Sequence, residues 1–443
     1  MENRPRDLSL SLAMQARARV CIPGMTQLLS KRPDRFSLGV WPGYFSRAQG
    51  VEVWDLDGNR YLDMSIAGIG ANILGYGDPE VDEAVRRAIA DGVSSSLNCP
   101  EEVELAELLC EIHPWAQMVR FTRAGGEAMA VAVRIARAHT GRDLVAFCGY
   151  HGWHDWYLAA NLASGTALEG HLMPGLSPRG VPAGLAGTAL PFRYNQLPEL
   201  EAICARHGAS LAAVVMEPIR NDTPAPGFLA GVRDLAAKNG AVFIFDEISA
   251  GFRLCSGGAH LILGVAPDLA VFSKALGNGY AIGAVIGRAE VMAAAQESFI
   301  SSTCWTERLG PAAALATVRK HRACQAADHL VRVGGLVQEG WRKAAARHGL
   351  RISVGGIPPL SHFAFQDSLP QQRKALFVQM MLDRGCLAST LFYAMYAHQE
   401  EHVTSYLRLV DECFGELATL GDEGVLLAAL RGQPASAGFA RLI

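Results

Sequence analysis

The sequence predicts an α/β protein built on a mostly parallel sheet, with a second, smaller α+β lobe. Three observations carry this expectation. Residues 211–216 and 241–245 are wholly apolar runs of strand length, and the amphipathic stretch 227–238 lies between them, which makes a β-α-β unit. Continuous apolar runs of this kind mark strands buried on both faces, as parallel strands under helices are. The chain has 443 residues, more than the roughly 250–300 at which one core stops growing, so two lobes are expected. After about residue 310 the pattern changes to long helical stretches with short strands.

Taken along the chain, the N-terminus carries Glu2, Arg4, Arg6 and Asp7 before a short apolar stretch that Arg17 and Arg19 interrupt. That stretch is too brief and too charged for a signal peptide. Residues 118–122 read as a short strand that runs into the glycine turn at Gly125 and Gly126 and then into an alanine-rich helix. Residues 160–187 are rich in Gly, Pro and Ala and lack periodicity, so they read either as a lid over a site or as an ordinary surface loop. A long helix is expected to start at Gly310 and Pro311 and to lead into the small lobe, where 352–354 and 362–365 are strand-like. Near the end, Val403, Tyr406, Leu407, Val410, Cys413, Phe414 and Leu417 recur at helical spacing, the mark of a docked amphipathic helix. The expected organisation is a segment over 1–70 packing with the small domain, a large domain over 71–310 and a C-terminal small domain over 311–443.

Composition narrows the function classes. Half of the residues are hydrophobic and 19% are charged, with a net charge of -3, which leaves no electrostatic footprint for nucleic acid or an anionic membrane. No run approaches the roughly 20 apolar residues that span a bilayer. The ten cysteines are scattered in apolar surroundings without CxxC spacing, as expected of reduced thiols in a cytoplasmic protein. His398, Glu401 and His402 fit the H-x-x-E-H spacing of some zinc peptidases. The competing reading is that this segment opens the final helix with exposed histidines, and no metal site is expected.

Lys274 is the most informative residue. It stands in 271–280 among apolar and small residues, where an isolated ammonium is costly to bury. Desolvation favours the neutral amine, which can attack the aldehyde of pyridoxal 5'-phosphate. The alternative is a lysine that snorkels from a strand end. Upstream, the apolar run 241–245 stops at Asp246 and Glu247, so acids stand at the carboxyl end of a buried strand. There Asp246 is a candidate partner for a pyridinium nitrogen, or else a helix cap or surface acid. Gly125 and Gly126 at a helix start suit a phosphate dianion, although a glycine pair is also an ordinary tight turn.

These segments, with 51–63, 74–81, 150–155 and 216–219 in the same order, resemble the class III aminotransferases, in particular the glutamate-1-semialdehyde aminomutase-like branch of the fold-type I pyridoxal-phosphate enzymes. The resemblance covers nearly the whole chain. It implies a large domain with a mostly parallel seven-stranded sheet and a smaller α+β domain made from both chain ends. It makes Lys274 the Schiff-base lysine and proton shuttle, Asp246 the pyridinium partner, Tyr150 the aromatic stacking on one ring face and Ile248 the residue packing on the other. Gly125 and Gly126 would cradle the phosphate, Thr303 would reach the phosphate across a homodimer interface, and Glu217 would lie near the ring in a structural or catalytic role. Tyr150 also reads as a core tyrosine. The acidic pair Glu400 and Glu401 falls near the substrate mouth.

Two departures bear on substrate. At the phosphate turn, 123–128 lacks one hydroxyl common in the family. Where the aminomutases place a serine and an arginine after an N-terminal Pro-Gly to hold the substrate carboxylate, Leu28 and Lys31 stand here, with Arg32 one residue further on. The expectation is therefore an aminotransferase that moves an amino group from an amine or amino-acid donor to an aldehyde or ketone acceptor. An aminomutase or racemase is the alternative within catalysis, and a catalytically silent cofactor-binding regulator is the alternative of another class.

Overall fold

A computed structural model of the chain describes residues 6–171, 174–421 and 423–438. It divides into two compact units, one of residues 1–78 with 328–443 and one of residues 79–327. In the unit made from both chain ends, β1 (Phe45–Gln49), β2 (Glu52–Asp55) and β3 (Arg60–Met64) form an antiparallel meander. The Asp55 carboxylate closes the β2–β3 turn by accepting the N–H groups of Asp57 (3.0 Å) and Asn59 (2.9 Å).

The unit 79–327 is built on one sheet of seven strands: β4 (Met118–Thr122), β5 (Leu144–Cys148), β6 (Ala189–Pro191), β7 (Leu211–Met216), β8 (Val242–Asp246), β9 (Leu269–Phe272) and β10 (Gly283–Gly287). Their spatial order is β4-β10-β9-β8-β7-β5-β6. The five strands from β9 to β6 pair in parallel, and only β10 runs against its neighbours β9 and β4. This is the mostly parallel seven-stranded sheet the sequence led us to expect. Every residue of β7, β8, β9 and β10 is buried, which is why these segments read as unbroken apolar runs rather than as alternation.

Helix Gly125–Thr140 joins β4 to β5 and lays Ala128, Met129, Ala132, Ile135 and Ala136 on the core that Val145, Val215, Ile244 and Val271 share. Helix Phe228–Lys238 joins β7 to β8, completing the β-α-β unit. The helix expected at 310 begins at Leu309, runs to Ala323 and packs on Pro79–Asp91 within this same unit. A second helix, Ala326–Arg347, follows it. The segment 160–187 is tied down in part. Buried Asn161 donates to Leu176 O (2.8 Å) and accepts from Leu168 N (2.9 Å), and Leu168 is itself fully buried.

The C-terminal strands β11 (Ile352–Gly355), β12 (Leu360–Phe365), β13 (Cys386–Ala388) and β14 (Leu391–Tyr393) complete the unit made from both ends. β13 pairs in parallel with β3, while β11, β12 and β14 form a separate antiparallel sheet. Helix Glu400–Thr419 buries Val403, Tyr406, Val410, Cys413, Phe414 and Leu417 as its spacing predicts, and Leu409 as well. Leu407 is only half-buried and packs where a Cβ on Gly340 would stand. Tyr406 accepts from Trp341 Nε1 (2.9 Å). This helix is not the last, because Glu423–Ala429 follows it.

The expected exposure of both histidines in 398–402 is corrected for His398. That residue precedes the helix and is fully buried, with Nδ1 accepting from Met395 N (2.9 Å) and Nε2 donating to Asp63 O (2.8 Å). His402 Nδ1 accepts the N–H of Gln399 (3.0 Å). With His398 off the helix and both its ring nitrogens committed, the two histidines do not form a metal-binding pair one helical turn apart. Among the described residues, no helix is long and apolar enough to cross a membrane.

Arg32 is also committed. Its guanidinium meets Asp34 in a buried bidentate pair, Nε to Oδ1 at 2.9 Å and Nη2 to Oδ2 at 2.6 Å. Desolvation works against an ionised Asp34, but the hydrogen bonds and charge of Arg32 outweigh it and hold the carboxyl below its ordinary value of 3.8. A depressed folded-state pKa stabilises the fold above that value, and the contribution fades as pH falls through the folded value. Asp34→Ala is expected to cost about 3–5 kcal/mol at neutral pH, because it strands a buried guanidinium. Urea denaturation at neutral and acid pH checks this: the gap between wild type and variant should narrow on the acid side.

Candidate active site

Parallel pairing sets the site. Cys148 of β5 is opposite Met216 of β7, Met216 is opposite Phe245 of β8, and Asp246 is opposite Val271 of β9. These strands therefore end at one edge, and the residues just beyond them, Tyr150, Glu217, Ile248 and Lys274, are delivered there together. Ligands of open α/β sheets sit at this carboxyl edge.

Asp246 is the last residue of β8 and is buried. Its Oδ2 lies 2.8 Å from Nδ1 of His151, and its Oδ1 accepts the N–H of Ile248 (3.0 Å). The other ring nitrogen of His151 is 3.1 Å from Cys148 O, an acceptor only, so Nε2 carries a hydrogen. His151 is thus fixed at both ends and holds the carboxylate plane of Asp246. Sequence reasoning missed this role, although His151 stands next to Tyr150. The adjacent acid, Glu247, turns away from the edge, where it accepts from Ala259 N (3.0 Å), His260 N (3.0 Å) and His260 Nδ1 (2.7 Å). It organises a loop.

Lys274 begins the short turn Lys274–Gly277 with φ of 46°, a left-handed conformation that lysine rarely adopts. Its Nζ donates to Ser249 Oγ at 2.7 Å. Desolvation, and then the positive charge of Arg220, push the amine's pKa down to about 8, against the opposing pull of Asp246 and Glu217. A lysine whose neutral form is populated near physiological pH is equipped for nucleophilic attack on a carbonyl. Ser249 and Arg220 carried no signal by themselves in the sequence.

Glu217 Oε2 accepts the N–H of Tyr150 (3.2 Å), while Oε1 stands 3.4 Å from Arg220. The close approach needs Gly149, whose φ is +111° and whose Cβ, if present, would lie 2.7 Å from Oε2. Tyr157 donates to Gly149 O (2.9 Å) and meets the Tyr150 ring edge-on. Tyr150 is half-buried beside these groups.

Gly125 and Gly126 open the helix Gly125–Thr140. Ala124, at the cap position, has no side-chain acceptor, so only Glu127 reaches back, accepting from Arg123 N (2.9 Å) and Ala124 N (3.2 Å). The first intrahelical partner is Ala128 N on Ala124 O (2.9 Å), which leaves the amides of the first turn directed at the helix mouth. A Cβ on Gly125 would press on Ile248 at 3.0 Å, and one on Gly152 would meet Gly126 Cα at 2.9 Å. Glycine at 125 and 152 therefore lets Ile248 and the segment after His151 lie close to the helix start. Thr303 lies in the exposed turn Thr303–Thr306, which Arg123 ties to the cradle by donating to Trp305 O (2.9 Å) and Glu307 O (2.7 Å).

Amide donors at a glycine cradle, a fixed carboxylate and a weakly basic amine fit the phosphate, ring nitrogen and aldehyde of pyridoxal 5'-phosphate. Comparisons with known proteins agree. The aminotransferase class-III family model matches residues 40–388. The chain is 36% identical over 404 residues to the glutamate-1-semialdehyde 2,1-aminomutase of Anaeromyxobacter sp. (strain K), covering 86% of this chain and 92% of that one. It is 30% identical over 423 residues to the 3-aminobutyryl-CoA aminotransferase of Cloacimonas acidaminovorans, covering 93% and 98%. Among solved structures, it is similar to the PLP internal aldimine form of the Sphingopyxis sp. MTA144 FumI protein, with a TM-score of 0.83, 26% identity and coverage of 96% and 98%.

Proposed function

We propose that this chain, which belongs to the class III aminotransferase family, is a pyridoxal-phosphate enzyme that moves an amino group from an amine or amino-acid donor to an aldehyde or ketone acceptor, with Lys274 as its reactive amine. The observation that carries the assignment of Lys274 is its desolvated amine at the sheet edge, close enough to Asp246 and Glu217 to feel their charges. The cofactor, when bound, supplies an aldehyde carbon that links to amines and a ring that withdraws electrons from the amine-bearing carbon.

The chain's own residues do the rest. Asp246, held by His151 and Ile248 N–H, would keep a proton on the cofactor's ring nitrogen. Tyr150 and Ile248 would pack against the cofactor's ring and hold its orientation. The amides at Gly125 and Gly126 would hold the phosphate, and in a homodimer Thr303 of the partner subunit would add a contact to it. Lys274 would hold the cofactor through Nζ and, as a free amine, would accept a proton from the donor's carbon and return one in the reverse half-reaction. Ser249 Oγ steadies the amine between these tasks. We place the enzyme in the cytoplasm, because its ten cysteines are all unpaired.

An aminomutase is the second reading, favoured by the 36% identity to enzymes of that name. Against it stand Leu28 and Lys31 in the places of the carboxylate-holding pair and the bidentate engagement of Arg32 by Asp34. Exposed Leu97, Trp153 and Phe299 on the unit that carries Thr303 support self-association.

Three outcomes are expected. First, purified protein is yellow, and Lys274→Ala loses the band and turnover. Borohydride reduction and peptide mapping label Lys274, whereas a label on Lys238 or Lys320 sinks the assignment. Because the neutral amine becomes populated as pH rises through about 8, attachment of cofactor to apo-protein should speed up across that pH and then level off. Second, a competent donor given without acceptor converts the cofactor to its amine form and releases one equivalent of carbonyl product. Fast conversion of glutamate-1-semialdehyde to 5-aminolevulinate without a donor would instead establish the aminomutase. Third, Thr303→Ala weakens cofactor retention by roughly 1.5–3 kcal/mol. Mixing it with Lys274→Ala should restore activity through a heterodimer with one intact site, and no recovery after verified subunit exchange counts against a shared site.

A further inference from the structure

Among the described residues, Ser249 is the group that hydrogen-bonds the Lys274 amine, with Nζ and Oγ 2.7 Å apart. The serine is buried, and the turn that carries it is pinned along its length. Asp246 Oδ1 accepts the N–H of Ile248 (3.0 Å), Glu247 N–H donates to Val271 O (2.9 Å), Gly251 N–H donates to Glu247 O (2.7 Å), and Ser249 O accepts from Arg253 Nε (3.3 Å). A Cβ on Gly251 would stand 2.8 Å from the ring of Phe272, so this turn lies hard against the end of β9.

Lys274 is fixed from the other side. It follows Phe272 by two residues, and the intervening Ser273 donates its hydroxyl to Ile282 O (2.9 Å). Two pinned segments that pack on each other therefore carry the two partners, and the serine hydroxyl has a set position relative to the root of the lysine. The kind of partner matters chemically. A hydroxyl accepts a hydrogen from the nitrogen whether the amine is charged or neutral, whereas a carboxylate would hold the proton there. The neutral amine has two hydrogens and a lone pair in staggered positions. With one hydrogen committed to Ser249 Oγ, rotation about Cε–Nζ is checked and the lone pair is directed away from the serine.

We propose that Ser249 is a positioning residue that aims the lone pair of Lys274 Nζ, and that this aim, rather than basicity, is what the serine contributes. The aimed lone pair forms the bond to an aldehyde carbon, and the aldehyde oxygen leaves as water with the two hydrogens of the amine. The same aim serves when the free amine takes a proton from the donor's carbon. Ser249 acts through Lys274 and has no need to touch a substrate. The proposal rests on the reading of Lys274 as the reactive amine of a pyridoxal-phosphate enzyme.

The test strips full-length wild type, Ser249→Ala and Ser249→Thr of cofactor and reloads them. Growth of the visible band after pyridoxal 5'-phosphate is added reads attack by Lys274, and binding of pyridoxamine 5'-phosphate, which carries no aldehyde, reads the site without that attack. In Ser249→Ala the rate of band growth should fall on the order of ten- to a hundredfold at every pH, including the plateau above about 8, while pyridoxamine phosphate binds as in wild type. Ser249→Thr keeps the hydroxyl and should recover most of the rate. Equal rates in wild type and Ser249→Ala overturn the proposal, as does a profile that only shifts along the pH axis to the same plateau. Pyridoxamine phosphate binding that falls in step with the rate shows a structural role and overturns it too, and so does a Ser249→Thr protein that binds pyridoxamine phosphate but stays slow. If wild type itself grows no band, the reading of Lys274 falls and takes the proposal with it, whereas the other failures leave that reading standing.

Discussion

The parallel register of β5, β7, β8 and β9 is the constraint on which the rest of the site depends. Each strand ends at the same edge as its neighbour, so four segments far apart in the chain release their next residues into one small volume. A shift of one residue in any pairing would turn an edge residue to the other face of the sheet. Complete burial of β7, β8 and β9 guards against such a shift, because no residue in those strands tolerates solvent in place of its neighbours. Packing thus sets the positional accuracy that the chemistry uses.

Once groups are gathered at a buried edge, desolvation dictates what each one needs. Asp246 has His151, Glu247 has His260, and Glu217 has Arg220 together with a backbone amide. Each of these acids meets a cation-capable partner, as a buried carboxylate must. Lys274 is treated otherwise. Its direct hydrogen-bond partner is the neutral hydroxyl of Ser249, and the charge that acts on it most is that of another cation, Arg220. Nothing there holds the proton on the amine strongly, and the same environment that lowers its pKa leaves it ready to react.

Close approach is the third requirement. Gly149 lets Glu217 come against the chain beside Tyr150, Gly125 makes room for Ile248, and Gly152 lets the segment after His151 lie against Gly126. These contacts lock the aromatic segment 149–152 to both the acid and the phosphate cradle. A side chain at any of these positions would push apart segments that meet at this edge.

Much of this was legible in the sequence. An apolar run that ends in acids, a lysine among small residues and a glycine pair before a helix are local patterns, and burial and backbone preference are encoded locally. They sufficed for the sheet, for the helices between its strands and for placing Asp246 and Lys274 beyond or at strand ends and Gly125 and Gly126 at a helix start. Partners were not legible. His151 meets Asp246 across 95 residues, Ser249 meets Lys274 across 25, and buried His398 reaches Asp63 across 335. The exposure expected of His398 failed for the same reason, since spacing says nothing about which residue the fold buries. The sequence by itself determined which chemical groups stand at strand ends, because that depends on a few neighbouring residues. Only the tertiary structure decided which of them share a proton, a charge or a cavity, because that depends on which strands lie side by side.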